Sequence, residues 1–196
     1  CFYVIPKNPP RAIAYFHQSA VGGYPQAQAT LGALYLKGLP PIMPRDMKKG
    51  ISFLVDGARR HSMTSRFNLG MAYYNGEGVQ KNNGLAIRWL RLAAEQNFAE
   101  AQYSLASLLS EVDSVKNKHE VVRLLQRAAA QDHSGATADL KKIASGTGFL
   151  PPQNTNLPTK IPIKSTPTQL RLAIEHRAAG QRFYNGENTK QNFEKA

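Results

Sequence analysis

Few residues of this 196-residue chain are of types that do chemistry, and their spacing limits what chemistry is open to them. The stretch Tyr73–Lys81, "YYNGEGVQK", places Gly76 and Gly78 ahead of a helical pattern, where backbone N–H groups could cradle a phosphate. A phosphate loop needs a strand before it and a Lys-Ser/Thr pair after it, and this stretch has neither. A second copy, "FYNGENTKQ", runs from Phe183 to Gln191, 110 residues further on. A catalytic loop is normally used once per domain, whereas a structural turn can recur.

The remaining reactive groups do not converge. His17, His61, His119, His133 and His176 are scattered, with no HxxxH-type ligand pair, so no metal site is expected. No GxSxG elbow occurs, and the thirteen acids stand singly, with Glu77, Glu95, Glu100 and Glu111 reading as exposed helix or cap positions. Cys1 is the single cysteine, which rules out an intramolecular disulfide. A lipidated Cys1 would anchor a bacterial envelope protein; otherwise the displayed chain simply begins there. No catalytic residue, metal or cofactor is assigned.

Hydrophobic content of 42% and charged content of 19% suit a folded domain with a real core. No apolar run approaches the ~18–20 residues needed to cross a bilayer. The net charge of +12 is spread along the chain: residues 1–40 hold Lys7, Arg11 and Lys37 with no acid, and later segments add further excess. Such a surface favours anionic partners, either RNA or an acidic protein surface.

The elements that carry these residues repeat. Ala20, Ala58, Ala94 and Ala129 are each followed after eleven residues by Leu31, Leu69, Leu105 and Leu140, at alanine spacings of 38, 36 and 35. Five residues before each alanine stand Tyr15, Phe53, Trp89 and Leu124; four after each leucine stand Tyr35, Tyr73, Leu109 and Ala144. Offsets of three, four, five and eight are helical. Each unit therefore reads as two antiparallel helices. Helix A covers about 10–20, 48–59, 84–95 and 120–130; helix B covers about 26–36, 64–74, 99–110 and 135–144.

Leu69–Leu109, "LGMAYYNGEGVQKNNGLAIRWLRLAAEQNFAEAQYSLASLL", resembles a Sel-one-like repeat, a relative of the tetratricopeptide repeat. The likeness rests on Leu-Gly-x-x-Tyr, the Gly-x-Gly-Val turn and the Ala-x-x-Trp-Leu-x-x-Ala-Ala helix. It covers about residues 6–146 and returns near the C-terminus. The signature positions are Ala20, Leu31, Gly32, Tyr35, Ala58, Leu69, Gly70, Tyr73, Gly76, Gly78, Trp89, Ala94, Leu105, Ala129, Leu140, Gly180 and Gly186. The fourth unit departs: Val112 and Thr147 stand where turn glycines are expected, and Lys141 follows Leu140. The resemblance implies an all-α, right-handed α-solenoid of about four repeats plus a partial fifth.

Units fall near 8–44, 45–81, 82–116 and 117–146, together a solenoid over 1–146. The proline-rich stretch 147–167, with Pro151, Pro152, Pro158, Pro162 and Pro167, reads as an extended connector. A helix B then returns within 168–196, and the chain stops early in a further helix A. Both ends stand in mid-pattern, so flanking repeats are expected.

A stack of helix pairs presents an extended concave surface used chiefly to hold other proteins. The expected function is a scaffold or adaptor for protein partners in a multi-subunit complex. Tyr24, Arg66, Asn68, Tyr103 and Arg123, non-signature positions on the helices, are candidate partner contacts, and Ile161 and Ile163 are candidates within the connector. Two rivals stand beside it. One is a basic RNA-associated subunit of a ribonucleoprotein such as an organellar ribosome, which points to the mitochondrial matrix. The other is a scaffold of the bacterial envelope anchored through Cys1.

Overall fold

In a computed structural model, residues 9–113 and 116–146 are described, with side-chain surroundings given from residue 12 onward. They form eight helices: α1 (Pro9–Val21), α2 (Pro25–Lys37), α3 (Met47–Arg59), α4 (Met63–Asn75), α5 (Asn83–Ala94), α6 (Ala99–Asp113), α7 (Lys118–Ala129) and α8 (Ser134–Ala144). No strand occurs among the described residues. Odd-numbered helices are the expected A helices and even-numbered ones the B helices. Bounds agree with the periodicity to within two residues, except that α6 runs three past Ser110. No glycine stands there to turn the chain. The helix ends instead where Asp113 Oδ1 accepts from Lys116 N at 2.9 Å and Asn117 Nδ2 donates to the Leu109 carbonyl at 2.9 Å.

Two kinds of turn alternate. At the B-to-A turns Gly38, Gly76 and Gly78 take positive φ of 74°, 75° and 73°, which glycine adopts without a Cβ penalty. The following cap is equivalent in successive units. Asp46 Oδ1 accepts from Lys49 N at 3.0 Å and Asn82 Oδ1 from Leu85 N at 2.9 Å, supplying orphan donors at the starts of α3 and α5. The "NGEGVQ" stretch is thus a helix exit and entry.

At the A-to-B turns a left-handed residue recurs three positions after each signature alanine: Gly23 (φ 82°), His61 (64°), Asn97 (62°) and Asp132 (61°). The residue after it then bonds back across the turn. Tyr24 N donates to Ser19 O, Ser62 N to Gly57 O and His133 N to Ala128 O, closing a Schellman-type helix end. Only the first copy of this position is glycine, so glycine counting does not reveal it.

The inner row is α2, α4 and α6. These helices are buried on most faces, whereas α3, α5 and α7 bury one stripe each. Each inner helix packs most extensively on the outer helix that follows it, and α2 also reaches α4. Small residues make this approach close. A Cβ at Gly32 would stand 2.6 Å from Leu54 Cγ, and one at Gly70 would stand 2.9 Å from Leu90 Cγ. At the same register the third pair carries Ala106 and Leu125, both buried. Leu31, Leu54, Leu69, Leu90, Leu105 and Leu125 fill the interior almost without exposure. Burial of each contributes about 1.5–3 kcal/mol.

Candidate functional site

A polar device repeats inside this frame. The residue three before each inner leucine reaches back to the carbonyl of the signature alanine. Gln28 Nε2 donates to Ala20 O at 3.2 Å, Arg66 Nε to Ala58 O at 3.4 Å and Gln102 Nε2 to Ala94 O at 3.2 Å. Each bond adds a side-chain donor to a carbonyl that already accepts from the backbone N–H of the left-handed turn residue, Gly23, His61 or Asn97. The fourth copy is Thr137, whose hydroxyl donates to His133 O within its own helix.

Around Gln102 the network is closed. Its Oε1 accepts from Gln131 Nε2 at 2.9 Å, its Nε2 also meets Asn97 Oδ1 at 3.2 Å, and Arg127 Nη2 donates to Ala94 O at 3.2 Å. Around Gln28 it is open. Gln28 is 5% exposed, and its Oε1 is buried with no donor. It lines a cleft of about 570 Å³ with Ala20, Val21, Gly23, Phe53, Asp56, Arg59 and Arg60. Arg59 Nη1 lies 3.9 Å from Asp56 Oδ1, a loose and exposed pair. The Arg60 guanidinium lies over Gly23, where an added Cβ would meet it at 3.1 Å.

Beside the cleft is an aromatic cluster. Tyr35 and Phe53 stack with centroids 5.9 Å apart, His17 stands edge-on to both, and Tyr35 Oη bonds His17 Nε2 at 2.9 Å. Lys49 Nζ sits 5.8 Å from the Tyr35 ring. Burial first, and the charge of Lys49 second, hold the His17 imidazole below its ordinary pKa. Further along, Tyr74 Oη donates to Glu111 Oε2 at 2.8 Å, joining α4 to α6. Tyr103 Oη donates to Asp139 Oδ2 at 3.1 Å, and Lys142 Nζ meets Asp139 Oδ1 at 2.9 Å. Burial, then the neighbouring carboxylate, pushes both tyrosines up to about 12.

The sequence candidates fall in several places. Tyr24 occupies the N-cap position of α2 and packs on Ala20, Ala27 and Leu31. Arg66 is half-buried and bonds Leu92 O and His61 as well as Ala58 O, so it ties α4 to α5. Asn68 is 5% exposed and lies inside the solenoid, because neighbouring helices cover α4 on most faces. Tyr103 is half-buried and rests on His133, while Arg123 is exposed on α7. Ile161 and Ile163, the 147–167 connector, the returning helix of 168–196 with Gly180 and Gly186, and Cys1 all lie outside the described residues.

Of the remaining signature positions, Ala20, Leu31, Gly32, Ala58, Leu69, Gly70, Ala94 and Leu105 are buried, and Tyr35, Tyr73, Trp89, Ala129 and Leu140 are half-buried. Sequence reading overlooked Gln28, Arg60 and Phe53 as a group. The available signal was columnar: Gln28 and Gln102 share one register, and Arg60 and Gln131 share another. Among the described residues no three of His, Cys, Asp and Glu stand close enough to hold a metal, and no helix is long and apolar enough to cross a membrane.

A family model described as "Sel1 repeat" matches residues 3–24, 25–55, 64–98, 99–133 and 169–196, well over half the chain. The three long central matches each begin at an inner helix and run into the outer helix that follows, the pairing with the most extensive packing. Over 114 residues the chain is 32% identical to "DAP3-binding cell death enhancer 1" of Rattus norvegicus, which covers 58% of the chain and 21% of that protein. Over 111 residues it is 30% identical to "Chitin synthase regulatory factor 3" of Schizosaccharomyces pombe, 56% of the chain and 12% of that protein. The chain thus spans about a fifth of the length of the first relative and about an eighth of the second. The crystal structure of a Sel1 repeat protein from Oxalobacter formigenes superposes with a TM-score of 0.55 at 34% identity, covering 60% of this chain and 46% of that one.

Proposed function

Because the chain belongs to the Sel1 repeat family, whose fold is an interaction solenoid, we propose that it is a scaffold or adaptor that holds protein partners as one subunit of a larger assembly. The observation that carries this reading is that each inner helix presents half-buried tyrosine: Tyr35 on α2 and Tyr73 at the same register of α4, with Tyr74 beside it, and Tyr103 at another register of α6. Tyrosine combines a large apolar face with a polar tip and loses little side-chain entropy, which is why it is enriched at protein interfaces. The names of two relatives support the same class, one binding DAP3 and one regulating chitin synthase.

The test is isolation of the native protein by an affinity tag at physiological salt, followed by light scattering and cross-linking mass spectrometry. The expected result is a stoichiometric partner cross-linked to the α2, α4 or α6 row. A lone monomer without cross-linked partner would refute the scaffold reading.

A further inference from the structure

We propose that the cleft between α1, α2 and α3 binds an extended peptide segment that alternates acidic and apolar residues. This deepens, and rests on, the reading of the chain as a protein-binding scaffold. The repeat supplies its own control. In the third unit, Gln102 Oε1 receives a hydrogen bond from Gln131, and Asn97 fills the space beside them. In the first unit, Gln28 corresponds to Gln102, Arg60 to Gln131 and Gly23 to Asn97.

Both exchanges open the site. Gly23 removes the side chain that would fill it. Arg60 lies over Gly23 instead of donating to Gln28, so Gln28 Oε1 stays buried without a donor. A buried acceptor held in that state takes up an N–H when one is offered. Gln28 cannot satisfy it by turning over, because its Nε2 is committed to Ala20 O at 3.2 Å.

The lining selects the chemistry. Arg60, with Arg59 partly occupied by Asp56, draws a carboxylate. Phe53 and Ala20, with Val21 at 82% exposed, offer an apolar wall. A donor N–H, a carboxylate and an alkyl group within one short reach describe a peptide main chain with acidic and apolar side chains. A phosphodiester backbone brings charge but no N–H beside it.

The experiment titrates the full chain into a fluorescein-labelled Leu-Glu-Leu-Glu-Leu-Glu peptide and reads anisotropy. The same is done with its lysine counterpart and with its N-methylated form. Saturable binding is expected for the acidic peptide, with at least tenfold weaker binding of the other two. Arg60→Gln installs the donor that Gln131 provides in the third unit, so affinity falls at least tenfold while Tm does not drop. Gly23→Asn, which restores the filling side chain, gives the same loss and guards against misfolding of the first variant. No saturable binding of the acidic peptide overturns the proposal. So does unchanged affinity in both variants, or displacement of the peptide by a ten-nucleotide uridine RNA. A native partner that still co-purifies with Arg60→Gln, beside a peptide that does not bind, removes the cleft and leaves the scaffold reading standing; absence of any partner on the wild-type chain removes the scaffold reading itself.

Discussion

Gly32→Ala tests whether inner and outer helices are held at backbone contact. In an isolated helix this change is favourable by about 0.8–1 kcal/mol, because glycine loses more backbone entropy. Here the new Cβ would stand 2.6 Å from Leu54 Cγ and Cδ2 and 3.0 Å from the Gly50 carbonyl. Leu54 has no exposed surface into which to retreat, and a carbonyl cannot move without its helix. Relief to an ordinary contact requires α2 and α3 to separate by nearly an ångström, and overpacking of that kind costs about 1–3 kcal/mol. Sterics therefore outweigh propensity over most of that range, with a net loss of up to about 2 kcal/mol. Gly84→Ala is the matched control: it is exposed in the first turn of α5 and its Cβ would meet only Asn82 Oδ1, at 3.3 Å. It is expected to stabilise by up to about 0.5–1 kcal/mol. Urea unfolding followed by Trp89 fluorescence and by circular dichroism measures both. Trp89 is the single tryptophan and packs on the cluster that contains Leu54. The reasoning fails if the two glycine variants move stability in the same direction, or if Leu54→Ala in the Gly32→Ala background costs as much as in the wild type.

The turn, the tyrosines and the half-buried histidine give further outcomes. Asp132 holds φ 61° on an exposed turn, so Asp132→Gly should raise stability by about 0.5–1 kcal/mol and Asp132→Val should lower it, read by thermal melts. Tyr74 and Tyr103 ionise near 12 when folded and near 10 when unfolded, so folding favours their neutral forms. Their stabilisation is fully present below pH 10 and is lost as pH rises toward 12, and absorbance titration should show a late phase that shrinks in Tyr103→Phe. The His17 imidazole is held neutral by burial and by Lys49, so its ring protons should titrate below the ordinary histidine range by NMR, and Lys49→Ala should shift the midpoint upward. The linkage there runs the other way: stability is present above the unfolded value and declines as pH falls through it.

The fold was legible because its determinants are local and repeated. Ala94 and Leu105 say little alone, but four copies at one spacing fix helix phase, and Gly76 with Asn82 marks where one helix stops and the next begins. Asn68 shows the limit. A polar residue in a helix pattern reads as surface until neighbouring helices close over it, and α4 is covered on most faces. The Schellman position was hidden for a related reason. His61, Asn97 and Asp132 share a backbone conformation with Gly23 but no side-chain chemistry, so only alignment on the alanines groups them.

The candidate site was illegible in a different way, since it is defined by what one repeat lacks relative to another. Comparing columns within the chain turns that into a physical difference. Gln102 is closed by Gln131 and Asn97, whereas Gln28 is left with Arg60 and Gly23 in the same places. A polar network that is fully satisfied in one copy sets the energetic reference for the copy that is not. Because both copies share helices, turn and the bond to the signature alanine, their difference cannot be assigned to the fold. It belongs to side chains that the repeat frame leaves free to vary, which is where a solenoid can acquire recognition without disturbing its stack.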